Sequence, residues 1–88
     1  MISKTTSKFR KKFANLPRET QKKSRETYKT FLKNPEHPSL MFKKVHPSLP
    51  IYSIRIDLDY RTVGVLSGDT ISWFWIGNHD EYSRIIKM

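Results

Sequence analysis

Apolar and polar positions alternate most clearly in the last third of the chain. Three stretches rich in β-branched and aromatic residues span 51–56, 60–66 and 70–76, and short polar segments at 57–59 and 67–69 separate them. Stretches of this kind, bounded by Asp, Gly and Ser, are typical of strands joined by tight turns. The pattern predicts three strands that pair antiparallel in chain order.

A first helix is predicted near the start of the chain, where the apolar spacing changes. Phe9, Phe13 and Leu16 recur at positions i, i+4 and i+7, which is the spacing of one helix face. Ser7 precedes them and suits the N-cap position, where a side-chain oxygen accepts a backbone N–H. We expect a short helix whose aromatic residues face the core and whose remaining surface is basic.

A second helix is predicted over residues 18–33. Pro17 suits a first helical turn, and the Asn-Pro pair at 34–35 ends the helix. Tyr28, Phe31 and Leu32 lie on one side of it, whereas its first half is almost wholly polar. The two helices should form a hairpin, with the start of the second packed thinly or projecting beyond the core.

The middle segment, 35–50, carries four prolines that bracket one apolar stretch at 40–45. Proline at both ends is compatible with an edge strand, so this stretch is predicted as a fourth strand. Residues 1–5 give only a thin strand signal and are not counted. Helices followed by strands indicate an α+β domain, with a helical hairpin packed on a four-stranded, mainly antiparallel sheet. A short helical turn from His79 should close the chain.

Length and composition narrow the class of protein. All 88 residues fit a single domain, 1–88, and the chain has no cysteine for disulfides or thiolate metal sites. No apolar run approaches the roughly 18 residues that a membrane span needs, and the N-terminus lacks the apolar core of a signal peptide. A cytoplasmic protein without a membrane partner is the expectation.

Positive charge is concentrated in one half of the chain, whose formal net charge is +9. Residues 1–48 carry thirteen basic and three acidic side chains, a balance of +10, whereas residues 49–88 carry four and five, a balance of −1. A basic surface attracts polyanions by long-range steering, and an acidic protein satisfies the same field. Composition therefore leaves both nucleic acid and an acidic protein as partners.

Two arginines interrupt the predicted strands. Because side chains alternate across a strand, Ser53 and Arg55 share one face, and Ile54 lies on the other, toward the helices. Arg61 follows the turn, so it lies near Arg55 or Asp57 depending on register. One interpretation is an Arg–Asp pair on a solvated sheet face. The other is a guanidinium cluster that receives phosphate, whose oxygens match the planar fork.

The histidines give one candidate and no metal site. His79 and Tyr82 are three residues apart, so on a helical turn they face the same way. An imidazole exchanges protons near neutral pH, although a capping or packing role is the alternative. His37 and His46 each precede a proline and have no ligand-type partner at helical spacing. We therefore predict no metal and no cofactor.

The order of elements and three short motifs resemble the RelE/ParE superfamily of bacterial toxins, which belong to type II toxin–antitoxin systems. The motifs are Ile-Tyr-Ser-Ile-Arg-Ile at 51–56, Asp-Tyr-Arg-Thr-Val at 59–63, and Trp-Ile-Gly-Asn-His at 75–79 followed by Tyr82. They are similar to the family's basic strand, its Tyr-Arg strand start, and its Gly-x-His or Gly-x-Arg segment with a later tyrosine. The resemblance covers nearly the whole chain in order and spacing.

The resemblance implies an activity, with the RelE-like branch favoured. That branch cleaves messenger RNA in the ribosomal A site without a metal, by attack of the RNA's own 2′-hydroxyl on the adjacent phosphate. By position, Arg55 and Arg61 would hold the scissile phosphate and stabilise its developing charge. His79 would act as general acid or base, and Tyr82 would orient the base or the 2′-hydroxyl.

Ser53 departs from the family pattern, because related enzymes often have lysine at that position. The loss of one cation leaves the identity of the general base open. Lys43 and Lys44 on the preceding strand either compensate for it or contact ribosomal RNA. Ser53, Lys43 and Lys44 are therefore the expected RNA-binding residues.

The same resemblance implies partners. They are messenger RNA, the ribosome and a cognate antitoxin, expected to be acidic and to wrap the basic helices or fill the groove between Arg55 and His79. A ParE-like inhibitor of DNA gyrase, in a branch that generally lacks the catalytic set, is the alternative. An inactive relative that only binds an antitoxin is the third. The sequence specifies no oligomeric state.

Overall fold

The computed structural model describes residues 1–86 of the chain. The strands are β1 (Ile2–Thr5), β2 (Lys43–Lys44), β3 (Ile51–Arg55), β4 (Tyr60–Ser67) and β5 (Thr70–Asn78). The helices are α1 (Ser7–Ala14), α2 (Arg18–Lys33) and α3 (His79–Ile86), and a short 3-10 turn spans Pro38–Leu40. Within this part of the chain, no helix has both the length and the apolar character that a membrane crossing requires.

The sheet has five strands in the order β1-β5-β4-β3-β2, so the expected count of four was one too low. The α+β class and the packing of the helices on the sheet are confirmed. β1 lies parallel to β5, the amide of Ile2 donating to the carbonyl of Asp69 at 2.7 Å and the amide of Thr6 to that of Trp73 at 3.0 Å. β1 is stabilised by pairing with β5, which lies near the other end of the chain, and this explains why the sequence of residues 1–5 alone indicates a strand only weakly.

Helix α1 is capped by Thr6 and not by Ser7. The Oγ1 atom of Thr6 accepts the amide of Phe9 at 3.1 Å, and Thr6 has extended backbone angles while Ser7 is already helical. Either hydroxyl suits a cap chemically. Thr6 is the cap because β1 ends at Thr5 and the helix begins at Ser7, so Thr6 is the one residue between them.

Helix α2 covers the predicted range and starts directly after Pro17. The side-chain amide of Gln21 donates to the carbonyl of Phe13 at 3.2 Å, which joins α1 and α2 into the predicted hairpin. Phe31 is buried as expected, but Leu32 is 54% exposed. The apolar face of α2 is therefore narrower than its sequence indicated.

The strand predicted at 40–45 is reduced to the two residues of β2. Leu40 ends the 3-10 turn and is buried, and Met41 follows in the left-handed region with φ of 48°. Such a backbone conformation cannot continue a strand. Pairing with β3 therefore begins only at Lys43, which lies opposite Ser53.

Aromatic side chains form the core between the sheet and the helical hairpin. Phe31 of α2 meets Trp73 of β5 edge to face, with ring centroids 5.3 Å apart, and Phe42 makes a second edge contact with Phe31 at 5.4 Å. Each such pair contributes about 0.5–1.5 kcal/mol beyond the area it buries. Ile54 and Ile71 complete this buried cluster.

The opposite face of the sheet carries a second buried cluster, reached through a bulge in β5. Val63 of β4 pairs with Trp75, whereas the next residue, Gly64, pairs with Trp73, so Phe74 has no counterpart on β4. Residues i and i+2 of a regular strand share a face. Because of the extra residue, Trp73 faces the hairpin while Trp75 packs with Tyr82 of α3, their rings 6.4 Å apart.

A hollow remains between α1, the middle of α2 and the sheet. It has a volume of about 420 Å³, with Phe9 and Phe13 on one wall, Tyr28 on the other, and Ile54 and Trp73 on the floor. We call this feature the apolar groove. The thin packing predicted for the start of α2 is not observed, because Thr20 and Ser24 are buried there.

Candidate active site

The turn between β3 and β4 is organised by Asp57. One carboxylate oxygen of Asp57 accepts the amides of Asp59 and Tyr60, at 2.8 and 2.9 Å, which is the geometry of an Asx turn. The same carboxylate lies 3.5 Å from the Lys23 ammonium. The guanidinium of Arg61 donates instead to the backbone carbonyls of Asp57 and Tyr60. Arg61 is thus fixed in place by neutral acceptors.

Arg55 lies directly opposite Arg61 across the β3–β4 ladder. Within residues 1–86, no carboxylate comes within 4.0 Å of either guanidinium, so neither forms the Arg–Asp pair that the sequence left open. Like charges placed opposite each other destabilise a sheet. An anion that bridges the two guanidinium groups would remove this repulsion.

Helix α3 begins beside the two arginines. Asn78 caps it, since its Oδ1 accepts the amide of Glu81 at 2.9 Å. The amide of His79 donates to the carbonyl of Asp59 at 2.7 Å, which ties the helix start to the β3–β4 turn. The imidazole of His79 is exposed, and its centroid lies 5.9 Å from that of Tyr82. The two rings therefore face the same side, as their spacing indicated.

Tyr82 is buried beneath this surface and held by Ser53. The two hydroxyls share a hydrogen bond of 3.1 Å in a buried environment, and Ser53 is only 2% exposed. A buried phenol needs such a partner. The bond fixes the position of the Tyr82 hydroxyl at the floor of the site.

These side chains converge on one small pocket of about 80 Å³, which we call the arginine pocket. Its lining residues are Met41, Lys43, Ser53, Arg55, Arg61, His79 and Tyr82. Six of the seven site residues proposed from the sequence are thus brought together. The seventh, Lys44, does not line the pocket, because it lies on the other face of β2, opposite Tyr52.

Met41 is the lining residue that the sequence did not indicate. Its left-handed backbone directs the chain between the 3-10 turn and β2, and its Sδ accepts a weak contact from Arg55 Nη1 at 3.8 Å. A methionine with positive φ is uncommon and costs roughly 1 kcal/mol or more. No sequence pattern announces this conformation.

The residues described by the structure include no group of three or more His, Cys, Asp or Glu side chains placed to hold a metal ion. The arginine pocket instead presents cationic groups, a phenol and an imidazole. Such a set suits a phosphate or another oxyanion.

The fold is that of RelE/ParE-type toxins. It superposes on the YoeB/ParE toxin from Agrobacterium tumefaciens with a TM-score of 0.70 and 14% identity, covering 90% of this chain and 99% of that one. It superposes on YafQ from E. coli strain BL21(DE3) with a TM-score of 0.70 and 12% identity, covering 91% of this chain and 94% of that one. It superposes on the isolated E. coli RelE toxin with a TM-score of 0.63 and 15% identity, covering 98% of this chain and 95% of that one. Sequence identities this low establish a shared fold and nothing more.

Residues 18–84 match the family model of the ParE-like toxin domain. Because the match spans most of the chain, the protein belongs to this family of toxins. The predicted membership in the RelE/ParE superfamily is confirmed, and such a toxin implies an antitoxin partner. A search of curated proteins found no match to the chain.

Proposed function

We propose that this toxin is a metal-independent endoribonuclease that cleaves messenger RNA, acting at the ribosomal A site. The observation that carries the proposal is the arginine pocket, where two guanidinium groups with no acidic partner among residues 1–86 meet an exposed imidazole and a fixed phenol. Guanidinium groups placed in advance around a phosphate stabilise the charge that develops on it during transfer.

Each side chain has a role in the proposed reaction. The RNA 2′-hydroxyl oxygen attacks the adjacent phosphorus, the bond from phosphorus to the 5′-oxygen breaks, and the products are a 2′,3′-cyclic phosphate and a 5′-hydroxyl. Arg55 and Arg61 hold the non-bridging oxygens. His79 carries out one of the two proton transfers, removal of the 2′-hydroxyl proton or delivery of a proton to the 5′-oxygen, and water carries out the other. Tyr82 orients the nucleotide from below.

The size of the arginine pocket supports a polymeric substrate. Pockets for small-molecule ligands usually enclose about 300–1,000 Å³, whereas this one measures about 80 Å³. That space suits a backbone phosphate that enters from a larger molecule lying across the surface. The basic balance of residues 1–48 supplies the attraction for an RNA or a ribosomal surface. Lys44 lies on the other face of the sheet, opposite Tyr52, so it has no role in the proposed reaction.

The test is induced expression in a bacterial host, followed by mapping of transcript ends, and incubation of purified protein with RNA with and without ribosomes. Arg61→Ala and His79→Ala should each relieve growth inhibition and abolish the new ends, while the proteins remain folded by circular dichroism. Matched controls are Arg84→Ala on the exposed part of α3 and His37→Ala in the loop before β2. Both should remain toxic.

The outcomes separate three activities. Cuts in phase with codons that require ribosomes support the proposal. Intact RNA with supercoiling defects, and full toxicity of both pocket variants, would instead support a ParE-like inhibitor of gyrase. A wild-type protein without toxicity would indicate a relative that only binds its antitoxin.

We further propose that the antitoxin is acidic and lays an amphipathic segment in the apolar groove. Apolar side chains line its walls and floor, while Arg10, Arg25 and Lys29 stand at its rim. The Arg25 guanidinium lies 5.2 Å from the Phe13 ring centroid, so it offers charge at the groove's edge. An apolar stripe flanked by carboxylates complements this surface.

A double substitution tests this placement. Arg25→Glu with Lys29→Glu should weaken binding of the antitoxin, identified as the co-expressed protein that rescues growth, and binding by wild type should weaken as salt rises. Lys22→Glu with Lys33→Glu, on exposed positions of α2 outside the groove, is the control. Equal loss in both pairs, or binding that ignores salt, would refute the placement.

A further inference from the structure

The arginine pocket lacks a cation at the position where β3 carries Ser53. Ser53 cannot contact a phosphate in the pocket, because it is almost fully buried and its hydroxyl bonds to Tyr82. Building on the function proposed above, we propose that Lys43 is a catalytic residue that supplies the missing cation from the neighbouring strand, its ammonium contacting the scissile phosphate.

The sheet register carries this assignment. Lys43 lies directly opposite Ser53 in the β2–β3 ladder, and both residues line the arginine pocket. Side chains of directly opposite residues start from Cβ atoms about 4.5–5.5 Å apart on the same face. A lysine spans this separation easily, so its ammonium reaches the volume above Ser53.

The next residue shows that the placement is specific. Lys44 lies opposite Tyr52, whose ring packs against Phe42 at 5.1 Å in the core on the hairpin side. Alternation along the strand therefore directs Lys44 to the other face of the sheet. Of this adjacent pair of lysines, only Lys43 faces the two arginines.

The surroundings of Lys43 leave its ammonium available for an anion. β2 is the last strand at its edge of the sheet, and Lys43 is exposed. Within the described residues 1–86, no carboxylate lies within 4.0 Å of its Nζ. Lysine binds phosphate as a mobile point charge with three donors. It can thus close on a phosphate already held by Arg55 and Arg61.

The contact matters most in the transition state, when negative charge on the non-bridging oxygens is greatest. Lys43 in this role contributes positive charge and transfers no proton. Its loss therefore lowers the rate of the chemical step more than it weakens binding of the substrate. The loss of one such donor typically costs a factor of about 10²–10³ in rate. A mobile, exposed lysine should lie below that, at roughly 10–100-fold.

Three variants test the assignment by single-turnover cleavage of RNA in the assay described above. Lys43→Met keeps the length of the side chain and removes its charge, and it should lower the rate roughly 10–100-fold. Lys44→Met removes an equal charge from the opposite face and should stay within about threefold of wild type, as expected for a charge outside the pocket. Lys43→Arg restores the charge and should recover most of the rate. A purely structural role for the side chain would instead leave Lys43→Met active.

A second measurement does not depend on nuclease activity. Inorganic phosphate should raise the midpoint of thermal unfolding of wild type and of Lys44→Met by the same amount, and that of Lys43→Met by less. If wild type cleaves RNA and the two methionine variants behave alike in both assays, the assignment of Lys43 is wrong while the nuclease proposal stands. If wild type cleaves no RNA, the nuclease proposal fails, and the phosphate titration alone decides whether Lys43 belongs to an anion site.

Discussion

The cross-strand pair of arginines should lower the free energy of unfolding of the domain, and this effect is directly measurable. Arg55 and Arg61 lie opposite each other with no carboxylate within 4.0 Å in the described part of the chain. Arg55→Gln is the informative change, because within residues 1–86 the Arg55 guanidinium donates only to Met41, and weakly, whereas that of Arg61 donates to two backbone carbonyls. We expect Arg55→Gln to stabilise the folded state although it removes a residue of the proposed site.

The magnitude follows from the cross-strand register, because directly opposite residues have Cβ atoms about 4.5–5.5 Å apart. Two unit charges about 6 Å apart in a medium close to water repel by about 0.7 kcal/mol. This agrees with the range of roughly 0.2–1 kcal/mol for cross-strand pairs. Part of the gain is offset by the methylene contacts that the shorter glutamine loses. A net gain of about 0.5 kcal/mol corresponds to a rise of roughly 2–4 °C in the unfolding midpoint of a domain of this size.

The assay is urea unfolding followed by tryptophan fluorescence, at low salt and at about 0.5 M NaCl. Screening at the higher concentration should remove most of the gain, since the Debye length falls well below its value of about 10 Å at 0.1 M. Lys44→Gln, which removes one charge with no cation opposite it, controls for the general effect of lowering the net charge. If Arg55→Gln destabilises the protein at low salt, or if its gain is unchanged by salt, then the two guanidinium groups do not repel each other as argued.

Three further substitutions test the fold around the site, each by urea unfolding against wild type. Thr6→Ala should cost about 1 kcal/mol because it removes the cap of α1, and an unchanged free energy of unfolding would show that the cap bond contributes nothing. Gly77→Ala should cost about 1–3 kcal/mol, because a Cβ there would lie 2.5 Å from the Trp75 ring; a neutral result would mean that the indole moves freely. Ser53→Ala should cost about 1–2 kcal/mol by leaving the Tyr82 hydroxyl unpaired, and in Tyr82→Phe the same change should cost little. An equal cost in both backgrounds would rule out coupling through the hydrogen bond.

Much of this architecture was readable from local pattern. The strands β3 to β5 follow β-branched and aromatic residues punctuated by Asp and Gly, and α2 follows its proline and Asn-Pro boundaries. The shared face of Ser53 and Arg55 required only alternation along a strand. These features depend on residues close together in sequence, so the sequence predicts them.

Other features depend on distant partners and were missed for that reason. β1 exists because β5 offers it a free edge, and the stretch at 40–45 is cut short by the left-handed conformation of Met41. The hydrogen bond between Ser53 and Tyr82 joins residues 29 apart, and nothing near either residue announces it. The sequence predicted Lys43 and Lys44 equally as RNA-binding residues, and only the register of β2 against β3 shows that they lie on opposite faces.

Because Phe74 has no partner on β4, it determines to which face of the sheet each later side chain of β5 points. With one residue fewer, Trp75 and Gly77 would exchange faces with their neighbours, and the start of α3 would rotate away from the arginines. Shortening or lengthening this strand by a single residue should therefore abolish function even where every chemical group is retained. Replacement of side chains at constant length should be tolerated better in this part of the chain, and a one-residue insertion or deletion between Trp73 and His79 should be tolerated least.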